Sequence, residues 1–417
     1  MNPLASIPVL IATSLLLGSP VAAVASSGLP CGYETTVISP PDISGWDEDL
    51  RLRDINDAGV AAGYVELLDP LPCTWSAEQG VNLLPMPPGA IFGRAVAINN
   101  NGWILVNVQK TTGRRGYVYV PDGTGNYATI EIVPASPVMS EALGINDKNQ
   151  VVGFQSMGTR GEPSFPEGGF LWSLEAGKVN IQLPGWTSCR CIGINDDGVI
   201  CGNASQSIVA DEGVDSVRAF VLDCDSVVVV QPTPPFNTTL ASTITSTGLL
   251  GGNMGSTVGA GAAGFVLNTG AGALDVWPVP PGYFAWVLRD LNAVGIAAGE
   301  LLDADWFSNG VEYPCSGAKG QVHDLSSMLP PELVGTAWGI VAIRDDGTLL
   351  GKCVVECTIL YEPLSGFADL DCDGRVDAAD LAMMLTAWGS DDAAADVDGD
   401  GAVDGADLGL LLGAWSM

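Results

Sequence analysis

Two acidic segments near the C-terminus carry the side chains best suited to chemistry. Residues 369–380 and 396–407 repeat one pattern, with carboxylates at positions 1, 3, 5, 9 and 12 and glycine at position 6. Ca²⁺ requires several hard oxygen ligands in a flexible loop, a glycine at the sharp turn and a main-chain carbonyl at position 7. The pattern therefore predicts two calcium ions, one in each loop. The predicted ligands are Asp369, Asp371, Asp373, Arg375 (carbonyl), Asp377 and Asp380, then Asp396, Asp398, Asp400, Ala402 (carbonyl), Asp404 and Asp407.

A short apolar helix is predicted after each loop. Its large residues recur at i, i+3, i+4 and i+7, which places them on one helix face. They are Leu381, Met384, Leu385 and Trp388 after the first loop, and Leu408, Leu411, Leu412 and Trp415 after the second. Because a core this small needs support from metal or partners, we predict that residues 369–417 fold only with calcium. An acidic solvated tail would not explain the same spacing twice with glycine in register.

Paired loops with Asp at position 12 and one trailing helix each resemble the type I dockerin family. The resemblance implies a small module that is ordered by two calcium ions and binds a cohesin on a scaffold protein. The family's recognition pairs fall on Ala378-Ala379 and Gly405-Ala406, which offer no hydroxyl. The basic residues often found on the following helix are also absent. A cohesin-like protein and some other surface or matrix protein therefore both remain candidate partners.

The rest of the chain is organised by a repeated turn of the form Ile-Asn-Asp-x-Gly. Asn and Asp favour tight turns and Gly accepts positive φ, so the turn between two apolar runs predicts a hairpin. Its fifth position recurs about every 48 residues, a period typical of propellers and solenoids. These fifth positions are Gly59, Gly102, Asn149, Gly198, Gly248, Gly295 and Gly347. Asn tolerates the left-handed region best among non-glycine residues, so Asn149 indicates that the position requires positive φ.

Four short strands are predicted in each repeat, which is typical of a propeller blade. The last repeat stops one strand short, while Tyr33–Ile38 forms a strand with no blade of its own. If that strand completes the last blade, no edge is left exposed. The sequence therefore predicts a mainly β chain with a propeller of about seven blades, six and eight being the alternatives. A second glycine four residues after most turns predicts close backbone approach.

The repeats resemble the bacterial extracellular HAF repeats. The best match is Ala142–Gly153 followed by Phe170-Leu171-Trp172, although the family's His is missing and Arg218-Ala219-Phe220 is the nearest substitute. The resemblance implies an extracellular propeller-like architecture and carries no established chemistry. Because the composition changes sharply after a short joint that contains Pro and Gly, we predict that the chain consists of four segments. These are a signal peptide (1–25), the propeller (26–362), a linker (363–368) and the calcium domain (369–417).

The composition excludes some partners and favours export. The 417 residues include 16 Lys and Arg against 48 Asp and Glu, a net charge of −32, which repels nucleic acid and anionic membranes. Ile7–Leu17 is too short to span a bilayer and is followed by Ala23-Val24-Ala25, an A-x-A-like cleavage site. A buried N-terminal helix is the alternative, because the region before the apolar run has no Lys or Arg. We expect a secreted protein, extracellular or at the cell surface, without a membrane span.

Ten cysteines fit an oxidising compartment. Cys191 and Cys201 lie across one predicted hairpin and could form a disulfide. Cys31 could reach Cys353 or Cys357 if the chain ends meet. Zinc bound by Cys189, Cys191 and Cys201 is disfavoured, because there is no second C-x-x-C and no nearby His.

The sequence offers little for catalysis. It contains no G-x-S-x-G, H-E-x-x-H or P-loop motif, and His323 is predicted to be a surface residue at a strand end. Paired carboxylates could hydrolyse glycosides, but turn chemistry already explains the carboxylates that would face one side of the ring. These are Asp57, Asp147, Asp196 and Asp346. Packing between blades is the favoured role of the aromatic residues Trp75, Trp103, Trp172, Trp186, Trp286 and Trp338.

The favoured function is a non-catalytic binding or display propeller, tethered to a surface or matrix partner by the calcium module. Carbohydrate on the propeller face is one candidate ligand. The alternative is a secreted O-glycosyl hydrolase in polysaccharide catabolism, although no catalytic residue can be assigned. Two carboxylates about 5 to 10 Å apart beside an exposed Trp would favour the enzyme.

Overall fold

The computed structural model describes most of the chain after its first 32 residues. The described residues are 33–41, 49–132, 139–156, 167–206, 217–224, 226–255, 261–305, 312–318, 320–328, 333, 335, 337–353, 357–363, 368–370, 375–390, 395–397 and 402–415. The predicted signal peptide and Cys31 lie outside these residues. Contacts divide the chain into two compact units, one formed mainly by Ser39–Ser246 and the other mainly by Gly261–Met417.

Seven four-stranded sheets, with antiparallel pairing throughout the recorded registers, form a seven-bladed β-propeller. Blade 1 contains β2 (Asp49–Ile55), β3 (Ala61–Glu66), β4 (Leu71–Ser76) and β5 (Gly80–Leu83). Blade 2 contains β6 (Ala90–Ile98), β7 (Ile104–Lys110), β8 (Gly113–Pro121) and β9 (Tyr127–Glu131). Blade 3 contains β10 (Ser140–Ile145), β11 (Val151–Ser156), β12 (Glu167–Ser173) and β13 (Gly177–Ile181). Blade 4 contains β14 (Ser188–Ile194), β15 (Ile200–Ser205), β16 (Val217–Asp223) and β17 (Ser226–Val229).

The last three blades follow the same order, and the seventh borrows a strand from the start of the chain. Blade 5 contains β18 (Thr238–Ile244), β19 (Leu249–Gly255), β20 (Ala262–Asn268) and β21 (Ala273–Val276). Blade 6 contains β22 (Ala285–Leu291), β23 (Ala297–Leu302), β24 (Glu312–Ala318) and β25 (Gln321–Asp324). Blade 7 contains β26 (Ala337–Ile343), β27 (Leu349–Cys353), β28 (Thr358–Pro363) and β1 (Tyr33–Ile38). β1 pairs with β28 in an antiparallel register from Tyr33↔Pro363 to Ile38↔Thr358. The predicted blade count and closing strand are both confirmed.

The repeated turn and the second glycine have separate structural reasons. Asn149 has φ 58° and Gly198 has φ 84°, so the fifth turn position is left-handed, as predicted. In the first strand of blade 3 the register shifts between Ala142 and Gly144. This bulge directs a carbonyl at the neighbouring strand, where a Cβ added to Gly153 would lie 2.0 Å from the Glu141 oxygen. Close backbone approach at the second glycine is therefore confirmed.

The blade core is aliphatic and aromatic. Trp75, Trp172 and Trp286 are buried, and Trp286 stacks on Trp277 with ring centroids 6.2 Å apart. This confirms the packing role predicted for these three tryptophans. Trp103, Trp186 and Trp338 are only partly buried.

A disulfide is present, as predicted, but the predicted pairings were wrong. Cys353 is bonded to Cys357 within blade 7, so neither is available to Cys31. Cys191 and Cys201 are buried free thiols. A bulge between Cys191 and Gly193 shifts the register, so that Cys191 faces Gly202 and Cys201 faces Gly193 instead of each other.

The C-terminal module contains two nine-residue helices, α1 (Ala378–Thr386) and α2 (Gly405–Gly413). Met384 and Leu411 are fully buried, as the apolar spacing predicted, and Leu381, Leu408 and Trp415 pack against them. The prediction was wrong for Leu385, Trp388 and Leu412, whose exposed fractions are 53%, 46% and 52%. Loop valines take their place, because Val376, Val397 and Val403 complete the core.

Candidate functional site

The first calcium loop ends in a capping box. Asp377 is the N-cap of α1, and its Oδ1 accepts a hydrogen bond from Ala379 N at 2.8 Å. Asp380, three residues later, accepts from Asp377 N through Oδ2, also at 2.8 Å. Short acidic side chains favour exactly such helix starts because they satisfy N–H groups that lack helical partners. The last residues of the predicted loop therefore also start the helix.

Asp380 also connects the two ends of its loop. Its Oδ1 accepts from Leu370 N at 2.6 Å. In the second loop Asp407 accepts from Val397 N at 2.6 Å and from Asp404 N at 2.7 Å. The two loops thus repeat one hydrogen-bond pattern as well as one sequence pattern.

The described ligands fit a cation in charge and in burial. Asp369, Asp380, Asp396 and Asp407 are each no more than 3% exposed. Burying carboxylate charge is costly unless it is compensated, and residues 369–417 contain twelve Asp and a single Arg. Arg375 and Ala402, predicted to offer their carbonyls, have exposed side chains. The donor set is one of hard oxygens, as Ca²⁺ prefers.

Part of each predicted ligand set cannot be placed. Asp371, Asp373, Asp398 and Asp400 lie outside the described residues. Within the described ranges, no three His, Cys, Asp or Glu side chains come together in a way that could hold a metal ion. That result includes Cys189, Cys191 and Cys201, so it gives no support to the zinc alternative. The complete calcium ligand set stays a prediction.

The turn asparagines of the propeller connect neighbouring blades. Asn99 Nδ2 donates to Asn146 O at 2.9 Å, and Asn146 Nδ2 donates to Asn195 O at 2.8 Å. Asn56, Asn195 and Asn292 make the corresponding bond to the next turn. The amide oxygen of each asparagine accepts within its own turn, for example from Gln150 N to Asn146 Oδ1 at 2.9 Å. One side chain therefore shapes a turn and fastens it to the next blade.

The turn carboxylates considered for catalysis serve the same purpose. Asp147 accepts from Asn100 N at 2.8 Å and from Asn100 Nδ2 at 2.9 Å. Asp196 accepts from Asp147 N at 2.8 Å, and Asp57 accepts from Asn100 Nδ2 at 2.7 Å. In the last turn, Asp346 accepts from Thr348 N at 2.9 Å and pairs with Arg344 at 3.0 Å. All four candidate carboxylates already hold turns or blades in place.

Ion pairs also connect neighbouring blades, and sequence reasoning missed them. Arg94 pairs with Glu66 at 2.9 Å, Arg190 Nη2 lies 2.7 Å from Glu167 Oε1, and Arg114 pairs with Glu141. The guanidinium of Arg94 also lies 5.0 Å from the Tyr64 ring centroid, and that of Arg190 lies 4.5 Å from the Phe154 centroid. Arg94 and Arg190 each immediately precede the bulge of their strand. An arginine just before a strand bulge is unusual in so acidic a chain, and this was the feature of the sequence that could have predicted these pairs.

Asp54 and His323 lie outside these networks of turn asparagines and arginine pairs. Asp54 accepts from Ile98 N of the next blade at 2.8 Å, and burial raises the pKa of this carboxyl despite that bond. His323 is exposed on β25, as predicted for a strand-end surface residue.

Comparison with known proteins identifies the C-terminal module. Residues 367–412 match the family model of the dockerin type I domain. The chain is thus a seven-bladed propeller fused to a dockerin module, and type I dockerin domains in general bind calcium and a cohesin-type partner. Dockerin modules occur in extracellular and cell-surface proteins. The HAF repeat name gains no support from the match, although the propeller expected from it is present.

Solved structures support the propeller fold alone. An oligogalacturonate lyase in complex with manganese aligns with TM-score 0.52 and 11% identity, covering 82% of this chain and 96% of that chain. A structure from a study of two prolyl endopeptidases aligns with TM-score 0.52 and 10% identity, covering 73% of this chain and 46% of the other. No curated protein matches this chain in sequence. In the part of the chain that the structure describes, no helix combines the length and apolar character needed to cross a membrane.

Proposed function

We propose that the chain is a secreted binding or display propeller, without catalysis of its own, that is held to a surface or matrix partner by its dockerin module. The observation that carries the tether is the outer surface of the two dockerin helices. Met383, Leu385 and Trp388 of the first repeat are 44% to 53% exposed, and Leu410 and Leu412 of the second are 48% and 52% exposed. Large apolar side chains exposed in this number on a small module are typical of an interaction site.

The chemistry of that surface favours an apolar contact with the partner. The other exposed residues of α1 and α2 are small or neutral, namely Ala378, Ala379, Ala382 and Thr386, then Gly405, Ala406, Gly409 and Gly413. The helices thus present no charge, although the module around them is strongly acidic. A cohesin-type protein, or another matrix protein with an apolar patch, fits such a face.

Two calcium ions are proposed to order the module, and the twelve predicted ligands fall equally in its two loops. When bound, Ca²⁺ supplies the positive charge that the loops lack. Asp380 and Asp407 join the loop start to the helix start through two main-chain N–H groups each. The apolar face would therefore form only when the loops are ordered.

The absence of catalysis is proposed because the four turn carboxylates considered for catalysis are engaged within turns and between blades. Glu300 and Glu312 form another carboxylate pair, and both contact Lys352, which lies near Trp338. Glu300 is only 2% exposed and is bound by Arg289 and Lys352, so it cannot flank a sugar bond. The alternative, an O-glycosyl hydrolase, finds no support in the described part of the propeller.

Two assays on the full chain test this proposal. Immobilised protein should retain a cohesin-type partner in calcium and release it in chelator. The double variant Leu385→Asp with Leu412→Asp should not retain the partner even in calcium. A glycan array tests for carbohydrate ligands, and a reducing-sugar assay on the glycans that bind should show no release. Absence of retention in calcium would overturn the tether, and retention that ignores both chelator and substitution would exclude a calcium-dependent tether through these apolar residues. Sugar release would exclude a non-catalytic propeller.

A further inference from the structure

The junction of blades 6 and 7 contains a cluster that differs from the other blade contacts among the described residues. Lys352 Nζ of β27 lies 3.1 Å from Glu300 Oε2 of β23 and 2.5 Å from Glu312 Oε2 of β24. Arg289 Nε of β22 donates to Glu300 Oε1 at 3.0 Å. The Trp338 ring centroid is 6.0 Å from the ammonium. One lysine amine thus contacts two carboxylates from the neighbouring blade.

The sequence makes room for this cluster at a repeated position. The residue after the second-strand glycine, or after Val106 in blade 2, is Tyr64, Asn107, Phe154, Asn203 and Asn253 in blades 1 to 5, then Glu300 and Lys352 in blades 6 and 7. Only in blade 6 is it acidic. Arginine precedes the bulge in blades 1, 2 and 4. Gly339 stands at this place in blade 7, where an added Cβ would lie 2.4 Å from Glu300 Oε2. At this junction a glycine and a glutamate therefore stand where Arg94 with Tyr64, and Arg190 with Phe154, pair at two other junctions.

The environment separates the roles of the two carboxyls. Burial by itself would raise the pKa of Glu300, but the charges of Arg289 and Lys352 outweigh it and hold that pKa below its usual range. Burial raises the pKa of Glu312, and the neighbouring charge of Glu300 raises it further. The Glu312 side chain is 15% exposed and that of Lys352 is 20% exposed. Glu312 is the carboxyl better suited to hold a proton. Glu300 stays ionised, and its Oε2 lies 3.1 Å from the Lys352 amine, where it can take a proton from that nitrogen and return it.

We propose that Lys352 and Glu312 condense to an intramolecular amide bond, with Glu300 as the proton-transfer group. The ammonium first gives one proton to the Glu312 carboxylate, which leaves a neutral amine beside a neutral acid. The Lys352 nitrogen then attacks Cδ of Glu312 while Glu300 takes a second amine proton. Glu300 returns that proton to the departing hydroxyl, which leaves as water. The nitrogen keeps its third hydrogen, and the step needs no oxidant, reductant or co-reactant.

The bond would join two blades where the tether pulls. Blade 7 contains the closing strand β1 and the Cys353–Cys357 disulfide, and its strand β28 leads directly into the dockerin module. Force on an anchored protein would therefore enter through blade 7. Within the part of the chain that the structure describes, the ion pairs between other blades use arginine, which does not form such a bond. Lys110 is the matched control, because it pairs with Glu131 at 3.4 Å and with the Tyr117 hydroxyl inside blade 2.

Intact-mass measurement of the reduced full-length protein tests the proposal independently of its binding function. The wild type and Lys352→Arg should differ by the substitution plus one water, whereas the wild type and Lys110→Arg should differ by the substitution alone. A protease digest of the wild type should yield one branched peptide that contains both Lys352 and Glu312. Glu300→Gln should leave the two residues on separate peptides.

The opposite results are equally clear. If the wild type and Lys352→Arg differ by the substitution alone, the bond does not form. Should Lys352→Arg fail to fold, the digest of the wild type decides, because recovery of Lys352 and Glu312 on separate peptides overturns the proposal. A branched peptide in Glu300→Gln at wild-type yield would remove Glu300 from the reaction.

Discussion

The propeller and the dockerin module are both acidic repeats, but they compensate buried polar groups from different sources. In the propeller, Asn146 and Asp147 find their partners in neighbouring blades of the same chain. In the module, four buried Asp residues belong to a segment with one Arg. The propeller's polar groups are therefore satisfied within the chain, whereas the proposed function has the module draw its compensating positive charge from Ca²⁺ in solution. Large repeats can stabilise one another, and a pair of short loops cannot.

Calcium removal is the sharpest way to separate the two regions. The isolated segment 369–417 should give a helical circular dichroism spectrum in millimolar Ca²⁺, since extracellular modules bind at about 10⁻⁴ to 10⁻³ M. The helical signal should be lost completely in chelator. Asp369→Ala together with Asp396→Ala should abolish the response, while Thr386→Ala should preserve it. A helical spectrum that is indifferent to chelator would break the comparison.

Loss of the closing strand should have the next largest effect, and only on the propeller. Deleting Tyr33–Ile38 removes two buried side chains, Tyr33 and Ile38, each worth about 1.5 to 3 kcal/mol. The free energy of unfolding should fall by about 3 to 6 kcal/mol, measured by denaturant unfolding of the full chain. Glu34→Ala, at an exposed position of β1, is the control. An unchanged transition would mean that blade 7 does not need its borrowed strand.

The sequence predicted features that repeat and missed those that occur once. Seven turns made the blade count readable, and Asn149 revealed the left-handed position because it replaced glycine in one copy. The Glu300 cluster combines single residues from five strands, and the repeat alone does not show that they come together. The disulfide error has a similar origin, because a bulge at Cys191 changes which residues face each other without altering the spacing.

The calcium module shows the same limit within a helix. The apolar spacing correctly placed Met384 and Leu411 inside, because they recur in register after each loop. It could not show that Val376, Val397 and Val403 would fill the space expected for Leu385, Trp388 and Leu412. Whether loop or helix residues fill this small core depends on how the loops fold over the helices, which helical spacing alone does not show. The exposed helix face, which carries the proposed tether, was therefore absent from the sequence argument.

A single asparagine tests whether the propeller's polar groups are satisfied internally. Asn146→Ala removes a bond to Asn195 O and one to Gln150 N, and leaves buried main-chain groups without that partner. The cost should be about 1 to 3 kcal/mol in the free energy of unfolding. Lys148→Ala, exposed in the same turn, should change stability by less than about 0.5 kcal/mol. Equal effects would mean that the amide bonds between blades contribute nothing, and that the propeller's stability comes from its apolar core alone.

The smallest expected effect concerns the fifth turn position. Gly198 has φ 84° and a Cβ there meets nothing within 4 Å, so backbone strain alone sets the cost of a side chain. Gly198→Asn should be mild, below about 1 kcal/mol, because Asn149 already occupies this position at φ 58°. Gly198→Val should cost about 1 to 2 kcal/mol or more, since left-handed backbone is unfavourable for L-residues and rarely adopted by β-branched ones. Thermal unfolding of both variants measures the difference directly. Equal losses would show that contacts of the new side chain, and not φ, determine the cost, which would remove the conformational reason for glycine at this position.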